Sequence, residues 1–155
     1  LHQGHDRDFL TVGSMGHSSA IALGIALSKP ARKVYCFDGD GAFLMHMGVV
    51  ANIGTANAEN YNHIVFNNGV HESVGGLPTA AGGIDITKIA VACGYRNAFA
   101  ASTKEEIHSA METLRALEGP GLLEIKIAAG SRADLSRPKT TPVENKNAFM
   151  RNLKK

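Results

Sequence analysis

Tryptophan is absent from the 155 residues, and the other large aromatics are scarce, with three tyrosines and six phenylalanines. So few rings leave no platform on which successive bases could stack. The net charge of +2, from 16 basic and 14 acidic side chains, is too small to mark a polyanion as the partner. Nucleic acid is therefore not expected. No apolar run approaches the roughly 20 residues that cross a bilayer, and no basic-apolar-small signal opens the chain. No membrane partner is expected, and a cytoplasmic location follows. Of cysteine there are only Cys36 and Cys93, both in apolar surroundings and without CxxC spacing, which reads as two reduced core residues. A GxGxxG fingerprint is also missing, because Gly13-Ser14-Met15-Gly16 has the wrong spacing, and this excludes a dinucleotide site of the Rossmann type. The first residue is Leu1 rather than Met, which leaves open a processed chain, a truncated one or part of a longer polypeptide.

What the chain has in quantity is glycine, 17 residues of it, placed between apolar runs. The length suits one domain, 1–155, in which 129–155 forms a basic carboxy-terminal tail and a short helix. Phe9-Leu10-Thr11-Val12 reads as a first short strand. It runs into the turn Gly13 to Ser19 and a helix from Ala20 to Ser28, with Gly24 as a close-packing point and a stop before Pro30. Val34 to Phe37 and His63 to Phe66 read as buried strands. Between them Phe43, Met47, Val50, Ala51 and Gly54 mark one face of a single crossover helix. Gly69 to Gly83 reads as a long loop and Asp85 to Cys93 as a helix with Gly94 in a left-handed cap. Tyr95 to Ala98 forms a short edge strand. A capping box of Thr103 and Glu106 opens an amphipathic helix ending near Leu117, and Leu122 to Ile127 is the last strand before a short helix at Glu144 to Leu153. Strands alternating with helices predict an α/β domain of three layers, α/β/α, on a mainly parallel sheet.

Two turns carry chemistry. Asp38-Gly39-Asp40-Gly41 follows the Val34 strand, and Asn67-Asn68-Gly69 follows the His63 strand. Both lie beyond strand carboxyl ends, where open α/β sheets place their ligands. The Asp40 carboxylate and the Asn68 amide oxygen are hard ligands suited to Mg²⁺, and glycines let backbone amides approach phosphate. Either turn alone is a common structural turn; the two together, each behind a buried strand, suit a metal-diphosphate site.

This pair, GDG leading through a helix and a strand to NN, resembles the thiamine diphosphate motif, and from Phe9 onward the chain resembles the diphosphate-binding domain of thiamine diphosphate-dependent decarboxylases. The resemblance implies the thiamine diphosphate-binding fold, with thiamine diphosphate and Mg²⁺ as cofactors. It implies that Asp40, Asn68 and the Val70 carbonyl bind the metal, and that Gly39, Gly41 and Ala42 approach the diphosphate. Ser14, Ser18 and Ser19 would add hydroxyl donors or cap the following helix. Met15 would wedge the cofactor's two rings into a folded shape, or else pack as ordinary core, and the Gly13 carbonyl would accept from the aminopyrimidine. The glutamate that such enzymes place on a pyrimidine-binding domain has no match, since Glu59, Glu72 and Glu105 lie in the wrong contexts. A pyrimidine-binding domain or subunit is therefore an implied partner, and an oligomer the implied assembly.

A narrower resemblance is to the branch containing phosphonopyruvate decarboxylase and the β component of sulfopyruvate decarboxylase. Val12 to His17, Asn67 to Gly76 and Ser136 to Pro142 carry it, and the last stretch favours the phosphonate side. The implied substrate is a small anionic 2-oxo acid. Arg132, Arg137 and Lys139 are candidates for a clamp on its second acidic group, or are simply solvated. His17 and His71 could handle protons, or pack, and Ser73 would line the substrate side of the loop.

Overall fold

A computed structural model describes residues 6–135 and 138–154. The chain groups into two compact units, Gly16–Gly130 on the one hand and Leu1–Met15 with Ser131–Lys155 on the other.

In the larger unit the order is α1 (Ser18–Ser28), β1 (Val34–Gly39), α2 (Asp40–Met45), α3 (Gly48–Ala56), β2 (Tyr61–Asn67), β3 (Val70–His71) and β4 (Leu77–Pro78), then α4 (Ile86–Ala92), β5 (Asn97–Ala101), α5 (Lys104–Ala116) and β6 (Gly121–Lys126). Four strands make a wholly parallel sheet in the order β1-β2-β6-β5. Alternation along each strand sorts the side chains into two cores. Tyr61 and Val65 of β2 and Leu122 of β6 pack with Ala22 and Ala26 of α1, Ile53 of α3 and Ile86 of α4. On the opposite face Ile64, Leu123 and Ile125 meet Leu114 of α5. These are the three expected layers.

Most elements lie where the sequence places them. Asn60 stitches the α1–β1 connection, its side-chain amide donating to the carbonyls of Ala26, Lys29 and Arg32. Thr103 and Glu106 form the reciprocal capping box of α5. Gly94, at φ +102°, follows α4. β5 is the expected edge strand, two residues later than read.

Four expectations are corrected. The crossover is not one helix: α2 ends at Met45, and Val49 and Val50, in the first turn of α3, donate to the carbonyls three residues back, His46 and Met47, in a tight turn between the two helices. Met47 consequently faces outward, 40% exposed, although it fits the apolar period. Gly24 is no close-packing point, because a Cβ built there meets nothing within 4 Å. The glycine-rich segment after β2 is not structureless: β3 and β4 pair antiparallel around Gly75 and Gly76, both at positive φ. Phe9 to Val12 is not a strand. In the smaller unit this stretch lies along α6 (Pro142–Leu153), with the Leu10 N–H donating to Asn145 Oδ1 at 2.9 Å, the Asn145 amide donating to the Asp8 carbonyl, and the Phe9 and Phe149 rings in contact. Among the described residues no helix is long and apolar enough to cross a membrane.

Candidate functional site

Parallel pairing brings the carboxyl ends of β1 and β2 to one edge of the sheet, with Gly39 in register with Phe66. Asp40 opens α2 at that edge and is 1% exposed. A buried carboxylate needs partners, and Asp40 has one that sequence reading missed. Thr79, just past β4, donates its hydroxyl to Asp40 Oδ2 at 2.5 Å, while its N–H donates to the Gly69 carbonyl at 2.8 Å. One residue thereby ties the turn bearing Asp40 to the turn bearing Asn68. Asn68 Oδ1 accepts the Val70 N–H at 3.1 Å, which occupies one of its two lone pairs. His71 closes in from the other side. A Cβ on Gly41 would collide with the His71 imidazole, so only glycine lets that ring approach α2.

Asp38 belongs to a separate buried network. Its Oδ1 accepts from Ser18 Oγ at 2.5 Å, its Oδ2 lies 3.2 Å from His63 Nε2 and 3.8 Å from Cys36 Sγ, and His63 Nδ1 lies 3.2 Å from the Tyr95 hydroxyl. Ser18 thus serves Asp38 rather than capping a helix, and Ser19 bonds the Gly16 carbonyl. Cys36, Asp38 and His63 are ligand types within 4.8 Å of one another. Burial, and then the charge of Asp38, push the Cys36 thiol up to about 12, so it keeps its proton and the trio reads as a hydrogen-bonded clamp on the Asp38-Gly39-Asp40 turn. The hard oxygens of Asp40, Asn68 and Val70, not this sulfur-containing trio, fit a magnesium-type ion.

The remaining sequence candidates are dispersed. His17 packs against His46 with ring centroids 4.1 Å apart and the rings tilted by 56°, and the two line a hollow of about 240 Å³ that none of Asp40, Asn68 or Val70 lines. Ser73 is exposed in a short 3₁₀ turn, Glu72–Val74. In the smaller unit Gly13 and Ser14 take left-handed conformations, φ +77° and +48°, and Met15 is half-buried. There too Arg132 pairs with Asp134 at 3.2 Å, Lys139 is exposed, and Arg137 lies outside the described residues.

A family model, the carboxy-terminal thiamine pyrophosphate-binding domain of thiamine pyrophosphate enzymes, matches residues 2–125. The chain belongs to this family. Within it the chain is 40% identical over 144 residues to a phosphonopyruvate decarboxylase of Streptomyces viridochromogenes, covering 93% of this chain and 36% of that protein. It is 30% identical over 150 residues to a sulfopyruvate decarboxylase β subunit of Methanococcus maripaludis, covering 97% of this chain and 80% of that subunit. The chain thus spans about a third of the phosphonopyruvate decarboxylase that it matches. Among solved thiamine enzymes, a Mycobacterium smegmatis protein assigned as thiamin diphosphate-dependent superposes with a TM-score of 0.64 at 25% identity, over 76% of this chain and 23% of that one. A Campylobacter jejuni transketolase superposes at 0.60 and 21% identity, over 74% and 20%, which speaks to the fold alone.

Proposed function

We propose that this chain supplies the diphosphate and Mg²⁺ half of an active site that decarboxylates 3-phosphonopyruvate to phosphonoacetaldehyde and CO₂, the other half coming from a pyrimidine-binding domain. The observation that carries the reading is the Thr79 bridge, which ties Asp40 to the Asn68-Gly69-Val70 turn in a family member 40% identical to a phosphonopyruvate decarboxylase. Asp40, Asn68 and the Val70 carbonyl would hold the metal, a set of hard oxygens that suits Mg²⁺. Gly41 and Ala42, in the first turn of α2, carry N–H groups with no partner inside the helix, as diphosphate oxygens require. When bound, thiamine diphosphate supplies an electron sink for the carbon that loses CO₂. His71, packed on Gly41, would hold or move a proton near the diphosphate turn, a role its contact with α2 supports. The roles of Gly13, Ser14, Met15, His17 and Ser73, and of Arg132, Arg137 and Lys139 toward a phosphonate, rest on the resemblance or on charge alone.

A second reading has its own support. The chain is 30% identical to a sulfopyruvate decarboxylase β subunit over 97% of its own length. The deciding experiment measures CO₂ release from phosphonopyruvate and from sulfopyruvate by the complete enzyme with thiamine diphosphate and Mg²⁺. Higher kcat/KM for phosphonopyruvate, lost in Asp40→Ala, is expected. Preference for sulfopyruvate replaces the substrate, and inactivity on both overturns the reaction.

A further inference from the structure

Glu124 is a carboxylate that the reaction above does not use, and it is 4% exposed within the core face of β6. Burying a charge there is costly unless it is paired. Its Oε1 accepts from Asn67 Nδ2 and from Lys126 Nζ, each at 2.6 Å. We infer that Glu124 is a positioning residue for the metal-holding turn, acting through Asn67; this rests on Asp40, Asn68 and Val70 being the metal ligands.

The argument turns on what a carboxylate can and cannot do. It accepts hydrogen bonds and donates none, so it obliges the Asn67 side chain to present its NH₂ to β6 and its oxygen to the opposite side. That oxygen accepts the Gly69 N–H at 3.1 Å, and the Asn67 main-chain carbonyl accepts the Ile127 N–H at 2.9 Å. A flipped amide would set two donors face to face at Gly69. Asn67 is thus spent on holding the turn, and Asn68 is left as the ligand. The Gly69 carbonyl in turn accepts from Thr79, whose hydroxyl holds Asp40. A continuous path of hydrogen bonds therefore runs from Glu124 through Asn67, Gly69 and Thr79 to Asp40. Lys126, half-exposed, balances the carboxylate so that no uncompensated negative charge lies beside the metal ligands.

The test uses the complete enzyme and its Glu124→Ala and Glu124→Gln variants. Mn²⁺ affinity is read by electron paramagnetic resonance with thiamine diphosphate present, and amide exchange is read in the metal-free protein. Outer partners of metal ligands typically change metal affinity about 10- to 100-fold. Glu124→Ala is expected to weaken Mn²⁺ by at least about tenfold and to speed exchange at Gly69 while leaving Leu123 protected, with kcat restored by excess metal. Glu124→Gln, which keeps an acceptor oxygen, is expected to recover much of the affinity. Unchanged Mn²⁺ affinity in Glu124→Ala overturns the inference alone, as does faster exchange throughout β2 and β6, which would mark a role in the fold only. A parent enzyme that binds no Mn²⁺ overturns the ligand assignment and this inference together.

Discussion

The Thr79 hydroxyl donates to Asp40 Oδ2 across 2.5 Å, joining residues 39 positions apart. Hydrogen bonds to a charged acceptor contribute about 1.5–3 kcal/mol, and here the bond fixes which way the Asp40 carboxylate faces. Thr79→Val keeps the branched shape and removes the donor. It is expected to raise the Mg²⁺ concentration at half-maximal activity about tenfold, whereas Thr79→Ser stays within about threefold. Equal Mg²⁺ dependence in both variants would show that the bond does not serve the metal.

Asp40 itself contributes charge as well as geometry. Asp40→Asn preserves size and one oxygen but removes the negative charge that a divalent ion requires, so its metal affinity is expected to fall by more than the about 100-fold limit seen for outer partners. Asn68→Ala is expected to do the same by deleting the proposed ligand oxygen outright. Titration with Mn²⁺ in the presence of thiamine diphosphate checks both, and tight binding in either variant would remove that residue from the ligand set.

Legibility in the sequence followed the range of the interactions. β2 and β6 are short buried runs, and the α5 capping box is a contact between Thr103 and Glu106, so local pattern sufficed for each; β1 was legible as a strand but not as buried, because it lies at the sheet edge and leaves Phe37 60% exposed. The Asp40 and Asn68 turns were legible because strand ends and glycines mark them. Thr79 and Glu124 were not, because their partners lie 39 and 57 residues away and nothing around Thr79 or within the Leu122 to Ile127 run distinguishes them from a loop residue and a strand residue. The break between α2 and α3 was hidden for a different reason: Met47 continues the apolar period, and only the bonds back to His46 and Met47 reveal the tight turn. Phe9 to Val12 is apolar enough for a strand, but its backbone bonds to a side chain of α6 instead of to a sheet edge.

Two helical glycines that look alike in the sequence should behave oppositely. A Cβ on Gly54 of α3 would overlap the Cys93 carbonyl at the end of α4, whereas one on Gly24 of α1 meets nothing within 4 Å. Gly54→Ala is expected to lose about 1–3 kcal/mol through forced separation of the two helices. Gly24→Ala is expected to gain about 0.5–1 kcal/mol from reduced backbone freedom in the unfolded chain. Urea unfolding of the two variants measures both, and a stable Gly54→Ala would contradict the close approach.

Cys36 and Cys93 should differ in reactivity and in their effect on pH stability. Cys36 is 3% exposed and its thiol is pushed by burial, and then by Asp38, from an ordinary 9.0 up to about 12; Cys93 is half-buried. At pH 8 a thiol reagent is expected to modify Cys93 first and Cys36 only on unfolding. Because the folded value lies above the unfolded one, the unfolded state alone releases this proton between about 9 and 12. The stability from the buried neutral thiol is complete below about 9 and is lost as pH rises toward 12. The limiting slope for one proton is about −1.4 kcal/mol per pH unit. Tyr61 and Tyr95, raised chiefly by burial, add losses of the same sign at higher pH. Cys36→Ala should therefore unfold with a shallower decline between pH 9 and 10.5 than the parent, and an identical decline would show that Cys36 does not stay protonated in the fold.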